Sequence, residues 1–265
     1  MLKKFLIIII TTFALTLNVG ASSDGELVLK KNNPAEINDC FEGFNRASFA
    51  LNQGLDKIVF KPVASVYKKL PSPVKSGVSN SLNNLSNVVT IPNNLLQGEF
   101  TKAGINTGRF VINTTVGILG IIDVAEYLGF SEYEKEDYGQ TFGKWGIGPG
   151  CYIVLPVLGP STIRDTVGSF VNVMGGDPWY NASINGNNEY LNENIFLTSK
   201  ILSGVEFRAN NLESFDNLEK NSMDFYASLK SLYMQDRQLK IDNITRGNIQ
   251  VIYNDEGDWE EIDTK

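Results

Sequence analysis

A glycine- and proline-rich stretch at residues 137–165 has the residue types that could hold a ligand through the main chain; it reads DYGQTFGKWGIGPGCYIVLPVLGPSTIRD. Closely spaced glycines can cradle a phosphate, because no side chain hinders its approach to their backbone amides. The run GKWGIG at 143–148, however, has neither the G-x-G-x-x-G nor the G-K-[ST] spacing of nucleotide-binding loops. We therefore predict no nucleotide site, and we interpret the stretch as an irregular ribbon that fits no ordinary helix or strand.

The commonest general base of enzymes is absent from this sequence, although carboxylates, lysine and tyrosine can also serve in catalysis. The sequence contains no histidine, which excludes Ser-His-Asp and Cys-His triads and zinc sites with histidine ligands. The aspartates and glutamates show no metal-ligand spacing, so we expect neither a metal nor a cofactor. We predict that the protein is not an enzyme. The enzymatic alternative is a carboxylate-based hydrolase of envelope lipid or glycan that acts through Glu42 or Asp165.

The overall composition is that of a folded protein without affinity for nucleic acid. The 265 residues are 42% hydrophobic and 20% charged, which is typical of globular chains and not of disordered ones. The net charge is −7, and no cluster of lysines and arginines stands out. Since nucleic-acid binding needs clustered positive charge, we expect no nucleic-acid partner.

The first 21 residues have the three parts of a secretory signal peptide. Lys3 and Lys4 form a positive start, Phe5–Leu17 is an apolar run, and Val19–Ala21 is a small-residue cleavage site. The alternative is an uncleaved anchor, but the apolar run is shorter than the ~20 residues that span a bilayer. No cysteine stands directly after it, at 18–22, so we expect export without a bacterial lipid anchor.

The remaining chain is predicted to be all-α, with many short helices that often begin at a proline. Residues 22–38 read as a flexible lead, 39–245 as a helical domain and 246–265 as an acidic, disordered tail. Weak strand-like alternation occurs only at 248–253. The predicted helices begin near Asp39, Pro62, Pro73, Pro92, Thr101, Ser161, Asn188 and Ser222. Short helices around a glycine-rich ribbon suggest a curved or ring-like body.

Three blocks of sequence carry a resemblance to a known family. The first block is DCFEGFNR at 39–46. The second consists of three segments: GVSN at 77–80, NLLQG at 94–98 and GRFVINT at 108–114. The third is the ribbon, which ends with GPSTIRD at 159–165. These blocks resemble the signature of the MlaA (VacJ) family of outer-membrane phospholipid-trafficking proteins, whose first block reads D-P-x-E-G-F-N-R. The similarity extends over roughly residues 39–240.

The resemblance implies a specific architecture and role. Members of this family are all-helical discs in the outer membrane, and an amphipathic channel through the disc lets phospholipids leave the outer leaflet. A periplasmic carrier of the MlaC type receives the lipid, and a porin trimer serves as the scaffold. The implied function is the maintenance of lipid asymmetry without covalent chemistry. The implied location is the periplasmic side of the outer membrane.

Within the matching blocks, polar side chains are candidates for the lipid path. Arginine forms forked hydrogen bonds to phosphate, so Arg46, Arg109 and Arg164 could face lipid headgroups. The uncharged polar candidates are Asn45, Asn52 and Asn113. The alternative is structural, because buried arginines usually satisfy local carbonyls and carboxylates. In that case these side chains would cap helices or pair with Glu42, Asp56 and Asp165.

Aromatic side chains in and after the ribbon are candidates for contact with the membrane interface. They are Phe142, Trp145, Tyr152 and Trp179. Rings with a polar edge are favoured at the boundary between lipid and water. The alternative is ordinary packing in the protein core.

Two cysteines are a departure from the family pattern. Cys40 and Cys151 both stand where the family motif usually has proline, and they are the only cysteines of the sequence. In an oxidising compartment we expect them to form a disulfide. The alternative is two buried small hydrophobic residues.

Many relatives are lipoproteins, whereas this chain lacks the lipid-attachment cysteine. We therefore expect apolar surface on the folded body to hold it in the membrane. The alternative function is a soluble periplasmic lipid-binding or scaffold module that has lost membrane residence.

Overall fold

The structure is a computed structural model, and it describes residues 38–185 and 192–243. The predictions that lie outside these residues are the signal peptide 1–21, the lead 22–38 except its last residue, the start of the helix predicted near Asn188, the strand-like segment 248–253 and the tail 246–265.

Helices make up nearly all regular structure of the described residues, which confirms the all-α prediction. The N-terminal half contains α1 (Glu42–Leu55), α2 (Lys61–Lys68), α3 (Ser72–Leu96), α4 (Phe100–Thr115) and α5 (Val124–Tyr127). The C-terminal half contains α6 (Tyr138–Lys144), β1 (Tyr152–Leu155), β2 (Gly159–Thr162), α7 (Ile163–Val171), α8 (Pro178–Tyr180), α9 (Glu193–Asn210), α10 (Leu212–Asn221) and α11 (Phe225–Ile241). Single π-helical stretches occur at Asp56–Phe60, Asn172–Gly176 and Asn181–Asn185.

The first helix begins later than its capping pattern predicts. Phe41 is the N-cap of α1 and makes no side-chain cap bond. Asp39 instead accepts hydrogen bonds from Asn45 and from the hydroxyl of Tyr226, which lies on α11. The carboxylate is therefore used to join the two ends of the described chain.

The predicted break at Pro92 is wrong, because α3 runs through it as one helix of 25 residues. Side chains on either side of the proline bond to carbonyls of the preceding turn. Thr90 Oγ1 bonds the Ser86 carbonyl at 3.0 Å, and Asn93 Nδ2 bonds the Val89 carbonyl at 2.8 Å. Extensive packing of α3 against α4 also holds the helix together. Tertiary contacts thus override the local preference of proline.

The interpretation of residues 137–165 as an irregular ribbon is also wrong in part. Asp137 caps α6 by accepting from the Gln140 amide at 2.9 Å, and β1 and β2 form an antiparallel hairpin. The hairpin turn places Val157 and Gly159 at positive φ, and Gly146 and Gly150 have positive φ in the stretch between α6 and β1, so the irregular backbone that the glycines suggested is confined to these two places. Thr162, one residue after the predicted cap Ser161, caps α7.

Two small apolar clusters hold the helices together. The first joins α2 to α9 through Ala64, Tyr67, Val205 and Ala209. The second packs β1 on α11 through Tyr152, Val154, Tyr226 and Met234. Both clusters are small for a chain of this length, so apolar burial alone is not the organising feature of the fold.

Candidate functional site

A polar seam lies between the long helices α3 and α4. Its buried members are Asn84, Asn87, Thr90, Asn93 and Asn94 on α3, with Asn106, Arg109 and Asn113 on α4. The seam is cross-linked by Asn106 Nδ2, which donates to Asn94 Oδ1 at 2.9 Å, and by Asn84 Nδ2, which donates to Thr114 Oγ1 at 2.8 Å. Hydrogen bonding between side chains is therefore what holds this helix pair together.

Large apolar side chains cover the outside of the same region. Phe100 is 71% exposed, and Val111 on α4 is also exposed. After α4 the exposed apolar residues become continuous: Val116, Ile118, Leu119, Ile121, Ile122, Tyr127 and Leu128. Because water-soluble proteins rarely expose a contiguous apolar patch, this surface is suited to apolar surroundings.

Taken together, the seam and this apolar surface reverse the usual distribution of polarity. Among the residues that the structure describes, buried polar or charged side chains outnumber buried apolar ones. None of the described helices is long and apolar enough to cross a membrane. The arrangement is that of a body with its polar groups inside and its apolar groups outside, as in lipid-facing proteins.

Arg109 and Asn113 anchor the exposed apolar segment to α4. The Arg109 guanidinium donates to Asp123 and to the Phe130 carbonyl, the latter at 2.7 Å. Asn113 Nδ2 donates to Asp123 Oδ1 at 2.8 Å, and Asn113 Oδ1 accepts from the Ala125 amide at 2.9 Å. Both side chains are buried and fully engaged by this segment. Their contacts are structural.

Asn45 and Asn52 lie two turns apart on α1. Their side-chain amides hydrogen-bond to the backbone of β1 and its turn, where a neighbouring strand would otherwise pair. Asn45 donates to the Tyr152 carbonyl at 3.0 Å and accepts from the Val154 amide at 2.8 Å. Asn52 donates to the Leu155 carbonyl at 2.9 Å and accepts from the Val157 amide at 2.6 Å. The side-chain amides of α1 thus satisfy one edge of β1 and its turn.

Arg46 and Arg164 also have partners within the protein. Arg46 pairs with Glu42 and with Asp224, each at 2.8 Å, and its guanidinium lies 4.4 Å from the centre of the Tyr226 ring. Arg164 is buried and bonds Asp165 at 3.0 Å. Glu42 and Asp165 are two of the three carboxylates that the structural alternative named as partners. The third predicted partner, Asp56, pairs with Arg208 instead.

A buried charge cluster joins α6, α7 and α11. Arg237 on α11 donates to Asp137 at 2.7 and 3.0 Å and to Asp165 at 2.9 and 3.1 Å. Tyr233 adds a hydrogen bond to Asp165 at 2.7 Å. Burial alone would raise the pKa of Asp137, but the bonds from Arg237 outweigh it and lower the pKa to about 2. Burial, the largest cause, and the neighbouring Asp165 raise the pKa of Tyr233.

The six lipid-path candidates all have bonds within the protein. Each has polar groups bound to carbonyls, amides or carboxylates, which are the contacts that the structural alternative describes. A role in the lipid path stays a prediction for Asn45, Arg46, Asn52, Arg109, Asn113 and Arg164.

The aromatic candidates divide into exposed and buried residues. Trp145 is half exposed and donates from Nε1 to the Leu96 carbonyl at 3.0 Å, with the partly buried Phe142 ring beside it. Trp179 is partly buried and donates to Ser199 Oγ at 3.2 Å. Tyr152 is fully buried against the rings of Tyr226 and Tyr233, so its assignment to the membrane interface is wrong. Its place on the inward face of β1 explains the difference.

Cys40 and Cys151 form a disulfide, with their Cα atoms 5.6 Å apart. Cys40 lies two residues before the start of α1, and Cys151 is the residue before β1. The bond therefore joins the starts of these two elements. It acts together with the Asn45 contacts, which hold the same two elements side by side.

A cavity of about 480 Å³ lies among α3, α4, α11 and the loop before α6. Sequence reasoning missed it. Its wall carries Asn83, Lys102, Glu132, Tyr133, Glu134, Lys135, Glu136, Leu239, Lys240 and Asn243. Charges of both signs therefore face one space. The described residues contain no group of carboxylates and cysteines arranged to hold a metal ion.

Of two neighbouring wall residues, Glu136 is buried and Lys135 is partly buried. Burial lowers the pKa of Lys135, and burial raises the pKa of Glu136. Lys135 Nζ donates to Asn87 Oδ1 at 3.1 Å, and Glu136 accepts from Gln97 Nε2 at 2.9 Å. Both charges are thus held by neutral amides, one of which belongs to the polar seam.

Comparison with known proteins gives consistent similarities. The family model described as MlaA lipoprotein matches residues 37–240. The "Intermembrane phospholipid transport system lipoprotein MlaA" of Escherichia coli (strain K12) is 32% identical over 83% of this chain and 82% of its own. The Haemophilus influenzae protein of the same name is 30% identical over 79% and 81%. A solved structure described as "Structural basis for maintenance of bacterial outer membrane lipid asymmetry" is 31% identical, with a TM-score of 0.66, over 77% of this chain and 99% of that chain.

Proposed function

This chain belongs to the MlaA family, and we propose that it works in intermembrane phospholipid transport and in maintaining the lipid asymmetry of the outer membrane. Its step is to remove mislocalised phospholipids from the outer leaflet. A periplasmic carrier of the MlaC type receives the lipid, and a porin trimer is the membrane scaffold. The protein resides in the outer membrane, on its periplasmic side.

The observation that carries this proposal is the reversed polarity of the described body. A lipid-moving protein must present apolar groups to acyl chains and keep a polar route for headgroups. The exposed apolar segment from Val116 to Leu128 meets the first need. The seam of α3 and α4, with the charged cavity beside it, meets the second. Contact with lipid is one of the uses that a contiguous apolar patch serves, so the exposed segment supports membrane residence.

The geometry gives little support to a carboxylate-based hydrolase. Glu42 is paired with Arg46, and Asp165 is fixed by Arg237 and Tyr233. Arg237 also holds the pKa of Asp165 below its usual range against the effect of burial, which makes the carboxylate a poor general base. Lipid turnover by the purified protein, abolished by Glu42→Gln, would be needed to support an enzymatic role.

Outer-leaflet phospholipid in cells with and without the gene tests the proposal. Exposure to an external phospholipase is the readout, since only outer-leaflet phospholipid is accessible to it. We expect hydrolysis to rise on deletion and to return to normal when the wild-type gene is restored. An unchanged level would contradict the proposal. Extraction of the protein into the soluble fraction by a carbonate wash would favour the soluble-module alternative.

A further inference from the structure

We propose that the cavity lined by Lys135 and Glu136 binds a zwitterionic phospholipid headgroup, in which a phosphate is joined to a protonated amine. This inference rests on the proposed function and names the lipid class that the site takes. The phosphate would face the lysines of the wall, and the amine would face its glutamates.

The charge content of the cavity is the first argument. Its wall carries three lysines and three glutamates: Lys102, Lys135, Lys240, Glu132, Glu134 and Glu136. A ligand with one sign of charge would meet repulsion from half of these groups. A ligand with a separated positive and negative charge can be attracted by both sets.

The second argument is that two of these charges, the buried Glu136 and the partly buried Lys135, lack an ion pair within the described residues. Neither Lys135 nor Glu136 forms an ion pair with any residue in 38–185 or 192–243. A buried charge without an opposite charge is costly, so such groups are usually paired or functional. Most other buried charges of this protein do have ionic partners, as Arg109 and Arg237 show. A zwitterionic ligand would supply both missing partners at once.

The third argument is the position of the cavity beside the polar seam. Asn87, which holds Lys135, and Thr90, which accepts from the Glu136 amide at 3.3 Å, are both seam residues on α3. A headgroup in the cavity would therefore continue the polar surface of the seam. Phe100, two residues before the wall residue Lys102 on α4, is an exposed apolar side chain.

Lipid retention by the full protein in detergent tests the inference, with native mass spectrometry as the readout. The probes are phosphatidylethanolamine, phosphatidylglycerol, diacylglycerol and free phosphoethanolamine. The variants are Lys135→Gln and Glu136→Gln, which keep the amide bonds to Asn87 and Gln97. Lys69→Gln is the control, because Lys69 is exposed and lies outside the cavity. Thermal unfolding of each variant checks that it folds.

The wild type should retain phosphatidylethanolamine best, since it alone carries both charges and acyl chains. Lys135→Gln should lower retention of both phospholipids, and Glu136→Gln that of phosphatidylethanolamine alone, each about tenfold, as expected for a lost charge-assisted bond. Competition by free phosphoethanolamine would support headgroup recognition. Equal retention of all three lipids, unchanged in both variants, would overturn the inference but leave lipid transport standing. Failure to retain any lipid would contradict the proposed function as well.

Discussion

Arg237 and Asp165 are joined by two hydrogen bonds of 2.9 and 3.1 Å, from Nη2 and Nε of the guanidinium to the two carboxylate oxygens. Both side chains are buried. The same guanidinium also bonds Asp137, the N-cap of α6. One side chain near the end of the described chain therefore ties together the two helices that enclose the hairpin. A glycine at 139 makes this possible, since a Cβ there would lie 2.5 Å from the Asp165 carboxylate.

Replacing Arg237 with methionine should destabilise the protein severely. The change leaves Asp137 without its cation and takes one of two cations from the buried Asp165, which keeps only Arg164, and breaking such a buried network costs about 3–5 kcal/mol. The free energy of unfolding, measured by denaturant titration in detergent, is the readout. Lys220→Met, on an exposed position of α10, is the control and should change it by less than about 0.5 kcal/mol. Similar free energies of unfolding for the Arg237 and Lys220 variants would contradict this prediction.

Stability should fall in acid because of Asp137. Its pKa is lowered to about 2 from an ordinary value of 3.8, so its contribution is complete above pH 3.8 and is lost as the pH falls towards 2. The side chain is 41% exposed, so solvent screens the interaction, and we expect a loss of about 1 kcal/mol from this group. Denaturant titrations from neutral pH to pH 2 measure it. Asp137→Asn should be less stable at neutral pH and show a shallower acid decline; an equal decline would refute the assignment.

The two strand-binding asparagines of α1 should differ in importance. Asn45→Ala leaves the Tyr152 carbonyl and the Val154 amide without partners in a buried position, which costs about 2–4 kcal/mol. Asn52→Ala removes the same pair of bonds where the hairpin turn is exposed, so water can replace them and the cost should be about half. If the two variants lose equal stability in thermal unfolding, burial does not determine how much each asparagine contributes.

The sequence identified most helices, but the predicted caps Asp39, Thr101 and Ser161 are replaced by Phe41, Glu99 and Thr162. Asp39 has the spacing of a helix cap, yet it serves Asn45 and Tyr226 instead. Pro92 is a strong local stop signal, yet α3 continues because α4 packs along it. No local rule contains the partner helix, so neither result could be predicted from the segment alone.

The candidate site was predicted less well than the fold. A signal for the seam is present, since Asn84, Asn87 and Asn94 recur at helical spacing on α3. We predicted the lipid path from arginines and asparagines in the matching blocks, but the sequence does not show that Arg46 also pairs with Asp224 and Arg109 with Asp123, which lie outside those blocks. Lys135 and Glu136 lie in a charged loop that reads as ordinary solvated surface. Only the tertiary arrangement shows that α3 covers them.

Removing the disulfide should weaken the protein without abolishing its fold. Cys40 and Cys151 are 111 residues apart in sequence, so the bond restricts the unfolded chain strongly and contributes about 2–4 kcal/mol. Asn45 holds the same elements by hydrogen bonds, so the double variant Cys40→Ala, Cys151→Ala should still fold. Denaturant titration with and without reductant measures the effect. Reductant should lower the stability of the wild type and leave the double variant unchanged; free thiols in unreduced, alkylated wild type would contradict the pairing.

The segment after α4 should hold the protein in the membrane at some cost to its own stability. Ile118 and Leu119 have φ of 54° and 56°, a left-handed conformation that suits asparagine and is unfavourable for apolar side chains by about 1 kcal/mol each. Both side chains are exposed, Leu119 by 72%, so no internal packing offsets this cost. Burial of each in lipid would contribute about 1.5–3 kcal/mol.

The double variant Ile118→Asn, Leu119→Asn should therefore unfold no more easily than the wild type in detergent, yet be released by a carbonate wash. Met223→Asn, at an exposed apolar position before α11, is the control. A double variant that stays in the membrane fraction, or one that unfolds more easily in detergent, would show that the segment serves the fold and not the membrane.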